Sequence, residues 1–287
     1  MSDILITGAT GNVGAAITNA LCSKSITLRA GVRNPDTYAK NEYVVPVRLD
    51  FAQPGTYKDA LTGVRKVFLM RPPAIANTKA VINPFVDFAI EAGVQHIVFL
   101  SLLGVEHNPF VPHRAIEDHI VSRGVSYTFL RAGFFMQNLD TTHRAEIVER
   151  DELFIPAGKG KTSFVDVRDI GAVGALALLE SGHEKKAYSL TGAEALDYFE
   201  VAQIFSDVLG RPIRYTNPSP WEFAWSWRKR RAPWGQVLVM TGIYTVTRLG
   251  RAATMTTELQ RLLGRPALAF RQYVEDYRAC WVREDPR

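Results

Sequence analysis

The chain is nearly without cysteine: two in 287 residues, Cys22 and Cys280, at opposite ends and lacking the close spacing of a metal-ligand set. That excludes a disulfide-stapled fold and a thiolate metal site, and it points to a reducing cytoplasm. Long apolar runs are missing too. The nearest approach, Gln236 to Val246, is broken by Thr241 and Tyr244 and falls well short of the roughly 20 residues of a span, so neither a membrane span nor a signal peptide is expected. Internal repeats and low-complexity tracts are absent. His113, Glu117 and His119 lie close in sequence, but on a helix the first two share a face and the third points away, so no metal is expected. Ser101-Leu102-Leu103-Gly104 lacks the glycine that a nucleophile elbow places before its serine. Charge of one sign is scarce: 34 basic against 29 acidic residues leave +5, with one basic run at Arg228, Lys229, Arg230 and Arg231. That run reads as a solvated helix face, and neither nucleic acid nor a membrane is expected as a partner.

What the chain does have begins at once. Ile4, Leu5 and Ile6 form the short apolar run of a strand buried on both faces, and after Thr7 come Gly8, Gly11 and Gly14, followed by the Ala- and Leu-rich stretch to Leu21. A strand, a three-glycine loop and a helix start form a dinucleotide cradle. Bare backbone admits a pyrophosphate, and the helix N-terminus attracts its charge. Gly8, Thr10, Gly11, Asn12, Val13 and Gly14 are its candidate residues.

Further strand-like segments recur at Ile26–Ala30, Val44–Leu49, Val67–Met70, Ile97–Ser101 and Tyr127–Arg131, alternating with helical patterns. In one of these, Asn83, Pro84 and Gly93 read as cap, first-turn proline and terminating glycine. The alternation predicts an α/β fold: a Rossmann doubly wound parallel sheet in residues 1–150, with segments of about 161–190 returning to it, and a smaller C-terminal α+β substrate lobe in 151–287. Within that lobe Asp151–Pro156 and Lys159–Asp166 read as a hairpin, and Asp169 as the cap of the following helix.

The cofactor type is read from the second strand's end. Arg33 stands nineteen residues beyond Gly14, where recognition of a free ribose 2′-hydroxyl calls for an acid. A guanidinium fork there matches a 2′-phosphate, which favours NADP(H). Asp50, after the third strand, is a candidate for the adenine or for capping its own turn. Met70, Arg71 and Pro72, with Pro73 beyond them, form a stiff wall beside the pyrophosphate.

Six stretches then carry a family resemblance: GATGNVG, VRNP at Val32–Pro35, FLMRPP at Phe68–Pro73, HIVFLSLLG at His96–Gly104, YTFLRAGFFMQN at Tyr127–Asn138 and FVDVRDIG at Phe164–Gly171. Together they resemble the NmrA-like, atypical short-chain dehydrogenase/reductases, and among these the NAD(P)H-binding oxidoreductases of the triphenylmethane reductase and quinone reductase kind. The resemblance implies hydride transfer from NADPH to a small conjugated or aromatic acceptor such as a quinone, enone, imine or dye. It places Phe134 against the cofactor, and Phe135 with Trp221, Phe223 and Trp225 of the WEFAWSW stretch around the substrate. A homodimer is compatible with it. None of the ten tyrosines has a lysine four residues on, so the usual Tyr-x-x-x-Lys relay of short-chain dehydrogenases is missing. That loss keeps a second reading open, a non-catalytic NADP(H) sensor of the NmrA type. His113, fourteen residues before Tyr127, occupies the place of the catalytic lysine of the isoflavone reductase branch. With an ordinary pKa of about 6.5 it would donate a proton, with Ser101 as second donor.

Overall fold

β1 (Ile4–Thr7) is buried at every position, as a strand between two helical layers must be. In the computed structural model, which describes residues 3–283, it leads through the glycine loop into α1 (Asn12–Cys22). There follow β2 (Leu28–Val32), β3 (Val44–Arg48), α2 (Tyr57–Leu61), β4 (Lys66–Leu69), α3 (Thr78–Glu91), β5 (His96–Leu102), α4 (Pro112–Ser122) and β6 (Ser126–Ala132). The second half runs β7 (Phe134–Phe135), α5 (Asn138–Thr141), α6 (Arg144–Arg150), β8 (Glu152–Leu153), β9 (Thr162–Val165), α7 (Val167–Leu179), β10 (Lys186–Leu190), β11 (Ala195–Leu196) and α8 (Tyr198–Leu209). It ends with β12 (Arg214–Tyr215), α9 (Pro220–Lys229), α10 (Trp234–Arg248), α11 (Glu258–Leu263) and α12 (Phe270–Asp276).

The chain forms two units. The first runs to Ala132 and takes in Val167–Leu190 and Glu258–Gly264. Its seven strands form one parallel sheet in the order β10-β6-β5-β4-β1-β2-β3. This is the Rossmann arrangement, and the chain leaves β1 and β4 in opposite directions along the sheet, which opens a crevice at their C-terminal ends. One face carries Leu5, Val67, Leu69, Ile97, Phe99 and Phe129 against α2, α3 and α4. Phe51, Tyr57 and Phe85 interlock edge to face there, at centroid distances of 4.9 and 5.2 Å. On the other face α1 and α7 lie close together because Gly171 leaves room for the Ala16 backbone; a Cβ on Gly171 would fall 2.7 Å from the Ala16 carbonyl carbon.

Two expectations within this unit need correction. α3 begins at Thr78 under an Asn77 cap, so Pro84 sits inside the helix rather than in its first turn, while Gly93 ends it at φ +100° as expected. α7 begins at Val167, so Asp169 lies in the first turn and is not the cap.

The second unit comprises Gly133–Asp166, Thr191–Thr257 and the chain from Arg265 on. The division therefore falls after Ala132, not near residue 150, and α11 joins α7 and β10 in the first unit. The core of the second unit is aromatic: Phe164 on Tyr198, Phe205 on Trp281 and Phe223 on Tyr244, each edge to face at 4.9 to 5.7 Å. The expected hairpin is absent. β8 pairs in parallel with β12, and β9 lies between β7 and β11. The turn at Gly158 and Gly160 is real, since the Gly160 amide donates to the Ala157 carbonyl, but a Cβ on Gly160 would overlap the Thr247 carbonyl. The loop thus packs on the end of α10 and sends its two flanking strands to different partners.

Candidate functional site

The three loop glycines answer to different demands. Gly8 adopts φ +61°, a conformation that side chains rarely take, and Gly14 is pressed so closely on the Gly8 carbonyl that a Cβ would overlap it. Gly11 is under neither constraint. Its backbone is extended, at φ −89° and ψ 167°, and an added Cβ would meet the Gly8 oxygen at 3.4 Å and the Met70 methyl at 3.7 Å, which are ordinary contacts. The Gly11 amide donates to the Gly8 carbonyl at 2.9 Å, which closes the turn. At the start of α1 no side chain caps the helix and no acid lies in the first turn, so its positive end is uncompensated. Val13 is buried beneath the loop, while Thr10 and Asn12 are exposed at its tip.

The ends of the neighbouring strands border this loop. Thr7 Oγ accepts from the Met70 amide at 2.9 Å and so ties the ends of β1 and β4 together, a contact that the motif alone did not reveal. The Arg71 guanidinium donates to the carbonyls of Pro72, Pro73 and Ile75 at 3.2, 3.3 and 2.7 Å, fixing the turn after β4. Its Nε is buried without a hydrogen-bond partner among the described residues. Arg33 follows β2 directly and is exposed; among the described residues no hydrogen bond or ion pair engages its side chain. The next turn is held by the Asn34 side chain, which accepts from the Asp36 amide. Asp50 spends one carboxylate oxygen on the Ala52 amide, at 2.9 Å, and the other on Gln53 Nε2, at 3.2 Å. It therefore caps its own turn.

A second polar group gathers beyond β5. Phe99 and Ser101 alternate onto one face of the sheet, and β5 aligns Ser101 with Arg131 of β6. His113, in the first turn of α4, stacks on Phe99 with ring centroids 6.0 Å apart. Its Nδ1 and the Ser101 hydroxyl are both buried without hydrogen-bond partners among the described residues. Burial, and to a smaller extent the positive charge of Arg71, push the His113 pKa down to about 4. At neutral pH the imidazole is therefore uncharged, and the expectation of an ordinary value near 6.5 is overturned. One helical turn below, buried Glu117 receives Arg131 through two bonds of 2.7 and 3.1 Å, while Glu106 lies 3.1 Å from the same guanidinium. This pair fixes α4, and with it His113, on β6.

The aromatic residues expected around the substrate lie in the second unit and divide by helical phase. Ser219 and Glu222 form a capping box at the start of α9, and from there Phe223 and Trp227, four residues apart, turn inward. Phe223 is wholly taken up by the core, against Phe154, Trp227 and Tyr244, which removes it from the substrate-lining set. Trp221 and Trp225 turn outward and are 73 % and 53 % exposed. Phe134 is half-buried, edge-on to Phe164 and tilted on Tyr244, and its neighbour Phe135 is likewise half-buried.

Comparison with known proteins gives these groups a context. Over 97 % of its length, and 99 % of the relative's, the chain is 31 % identical to the NAD(P)H azoreductase of Xenophilus azovorans. The triphenylmethane reductase of Citrobacter sp., complexed with NADP(H), matches at a TM-score of 0.83 and 26 % identity, covering 96 % of this chain and 99 % of that one. An NADPH-dependent quinone oxidoreductase of Escherichia coli, complexed with NADPH, matches at 0.85 and 26 % identity, over 95 % and 99 % of the two chains. The NmrA-like profile itself extends over residues 1–224, from the glycine loop into α9. Sequence motifs, strand order and overall similarity converge, and the chain belongs to the NmrA-like family.

Proposed function

We propose that the protein is an NADPH-dependent oxidoreductase that passes hydride to a small conjugated or aromatic acceptor: a quinone, an enone, an imine or a dye-like molecule. The observation that carries this reading is the bare backbone at Gly11. An added Cβ at Gly11 would meet only ordinary contacts within the protein, so the bare backbone there leaves the face of the loop open to a ligand. A pyrophosphate over an uncapped helix N-terminus fits that opening. NADP(H) fits the rest of the edge. Thr10, Asn12 and Val13 belong to the phosphate cradle, Arg33 offers an unengaged guanidinium to a 2′-phosphate, and Asp50 stands beside the adenine. Met70, Arg71 and Pro72 line the remainder. When bound, the dinucleotide supplies the hydride. The similarity to NAD(P)H-using azo, triphenylmethane and quinone reductases supports the assignment.

The chain's own residues restrict the acceptor. There is no Tyr-x-x-x-Lys relay, and His113 is uncharged at neutral pH. Of the candidate donors, the His113 imidazole and the Ser101 hydroxyl are both neutral, so they hydrogen-bond an acceptor atom without bringing it a full charge. A neutral imidazole is a competent electrophile of this kind. Acceptors that end as a neutral molecule, or as a well-delocalised anion, after hydride addition suit such a site best.

Steady-state NADPH oxidation with a panel of quinones, enones, imines, and azo and triphenylmethane dyes tests the proposal. Turnover with at least one class is expected. Tight NADPH binding with no turnover across the panel would replace it with the sensor reading.

A further inference from the structure

The second unit carries an exposed apolar surface on α9 and α10. α10 is uncharged from end to end until Arg248: Ala232 to Thr247 contain no Asp, Glu, Lys or Arg. A surface helix ordinarily turns its polar face to water. Here Val237, Tyr244 and Thr247 face the core, and the outward arc is Trp234, Leu238, Val239, Ile243 and Val246, continued by Leu249. Leu238, Val239 and Leu249 are 65 %, 62 % and 65 % exposed. Of the chain's five tryptophans, the three exposed ones, Trp221, Trp225 and Trp234, all fall on α9 and α10.

Charge is concentrated in the same place. Six of the 34 basic residues lie between Pro220 and Arg251 but only one of the 29 acidic ones, Glu222, so the chain's whole formal excess of +5 resides in this segment. The cations flank the apolar arc. Arg228, Lys229, Arg230 and Arg231 precede it, and Arg248 and Arg251 follow. Arg230 pairs with buried Glu146, and Arg228 lies over the Trp234 ring, its guanidinium 4.8 Å from the centroid. Lys229 and Arg231 are exposed, and among the described residues no hydrogen bond or ion pair engages their side chains.

We infer that this face docks on an anionic phospholipid surface, with α10 lying in the plane of the headgroups. Arg228 donates to the Ala232 carbonyl and Arg248 to the Pro156 and Pro218 carbonyls, so the cations left to meet lipid phosphates are Lys229 and Arg231 before the arc and Arg251 after it. The arc, with tryptophan at one end, enters the boundary of the acyl chains as an interfacial helix does. The helix lies on the bilayer rather than crossing it, since no helix among the described residues is long and apolar enough to span one. A second copy of the chain is the poorer occupant, because symmetric pairing would bring two like-charged runs together. The basic run, read from sequence as a solvated face, gains its role from the apolar arc beside it.

Co-sedimentation of the full chain with vesicles tests this. Binding to vesicles of equal phosphatidylglycerol and phosphatidylcholine is expected at low salt, with a blue shift of tryptophan emission. It should weaken as salt rises and be absent on phosphatidylcholine alone. K229E/R231E should lower affinity for the anionic vesicles by roughly tenfold or more. L238E/V246E should do so too, with thermal midpoint and NADPH oxidation unchanged in both variants. Failure of the unaltered chain to bind anionic vesicles at low salt overturns the inference, as does equal binding by K229E/R231E. A concentration-dependent dimer that L238E/V246E converts to monomer, with vesicle binding intact, would identify the face as a contact between copies instead.

Discussion

The imidazole of His113 lies against the ring of Phe99 at an interplanar angle of 30° and a centroid distance of 6.0 Å. Burial keeps the ring out of water, and with the nearby positive charge of Arg71 it lowers the pKa to about 4. A catalytic role for His113 is therefore that of a neutral hydrogen-bond donor. Between pH 6 and 8 kcat should show no inflection from this residue. His113→Ala should lower kcat roughly tenfold to a thousandfold with a smaller change in NADPH affinity, and His113→Gln, which keeps a neutral donor, should recover part of the loss. A kcat unchanged in His113→Ala on an active substrate would reduce the residue to packing.

Burial of histidine also sets the acid stability. His113 and His143 are both held to about 4, in each case chiefly by desolvation. Their unfolded values are near 6.5, so between pH 6.5 and 4 the unfolded chain binds protons that the folded chain refuses. Stability from this source is complete above pH 6.5 and is lost as pH falls towards 4, on the order of 3 kcal/mol for each group. Asp140 acts in the opposite sense. Desolvation raises its pKa to about 6, so its contribution is complete below about 3.8 and is lost as pH rises through 6. Two groups against one leave a net loss on acidification. Urea midpoints measured at pH 7.5 and 5 should fall accordingly, and His113→Asn should shrink the difference.

The Arg131–Glu117 pair predicts a non-additive result. Removing Arg131 leaves a carboxylate that is only 4 % exposed without its partner. Arg131→Met should therefore cost roughly 2 to 4 kcal/mol, whereas Arg131→Met with Glu117→Met should return most of that loss, because a buried pair is replaced by apolar contact. Denaturation of the two single variants and the double variant closes the cycle. Additive losses would mean that the pair does not hold α4.

The sequence disclosed what local chemistry dictates. Gly8, Gly11 and Gly14 report a phosphate loop because their spacing between a strand and a helix is local, with Gly8 and Gly14 restricted by the turn itself, and the apolar runs place the first unit's strands within two residues of their observed ends. What stayed hidden depends on partners far along the chain. Arg131 and Glu117 meet only when β6 pairs with β5. β8 finds β12 some sixty residues away instead of its nearest neighbour. The low pKa of His113 depends on its burial and on Arg71, which is distant from it in sequence. Phe223 was legible in principle: its spacing of four from Trp227, out of phase with Trp221 and Trp225, already divides the WEFAWSW stretch into an inner and an outer face.

The glycine loop separates ligand demand from fold demand. Gly11→Val should cost the fold little beyond the loss of a favourable helix N-cap, because its Cβ meets only ordinary contacts, while abolishing NADPH binding by calorimetry. Gly14→Val should instead destabilise the protein itself, since its Cβ would overlap the Gly8 carbonyl. Retained NADPH affinity in Gly11→Val would place the dinucleotide elsewhere.

Arg33 tests the choice between the two dinucleotides. Its exposed guanidinium has no partner among the described residues, so replacing it removes little from the fold. A bidentate, charge-assisted contact with a 2′-phosphate is worth roughly 1.5 to 3 kcal/mol, and NADH has no phosphate at that position. Arg33→Ala should therefore weaken NADPH about tenfold to a hundredfold and leave NADH nearly untouched. Arg33→Asp, which sets a carboxylate where a ribose hydroxyl is recognised in NAD-binding folds, should go further and invert the preference. Dissociation constants for both cofactors across the three proteins decide the matter, and equal losses for NADPH and NADH would remove Arg33 from the cofactor site.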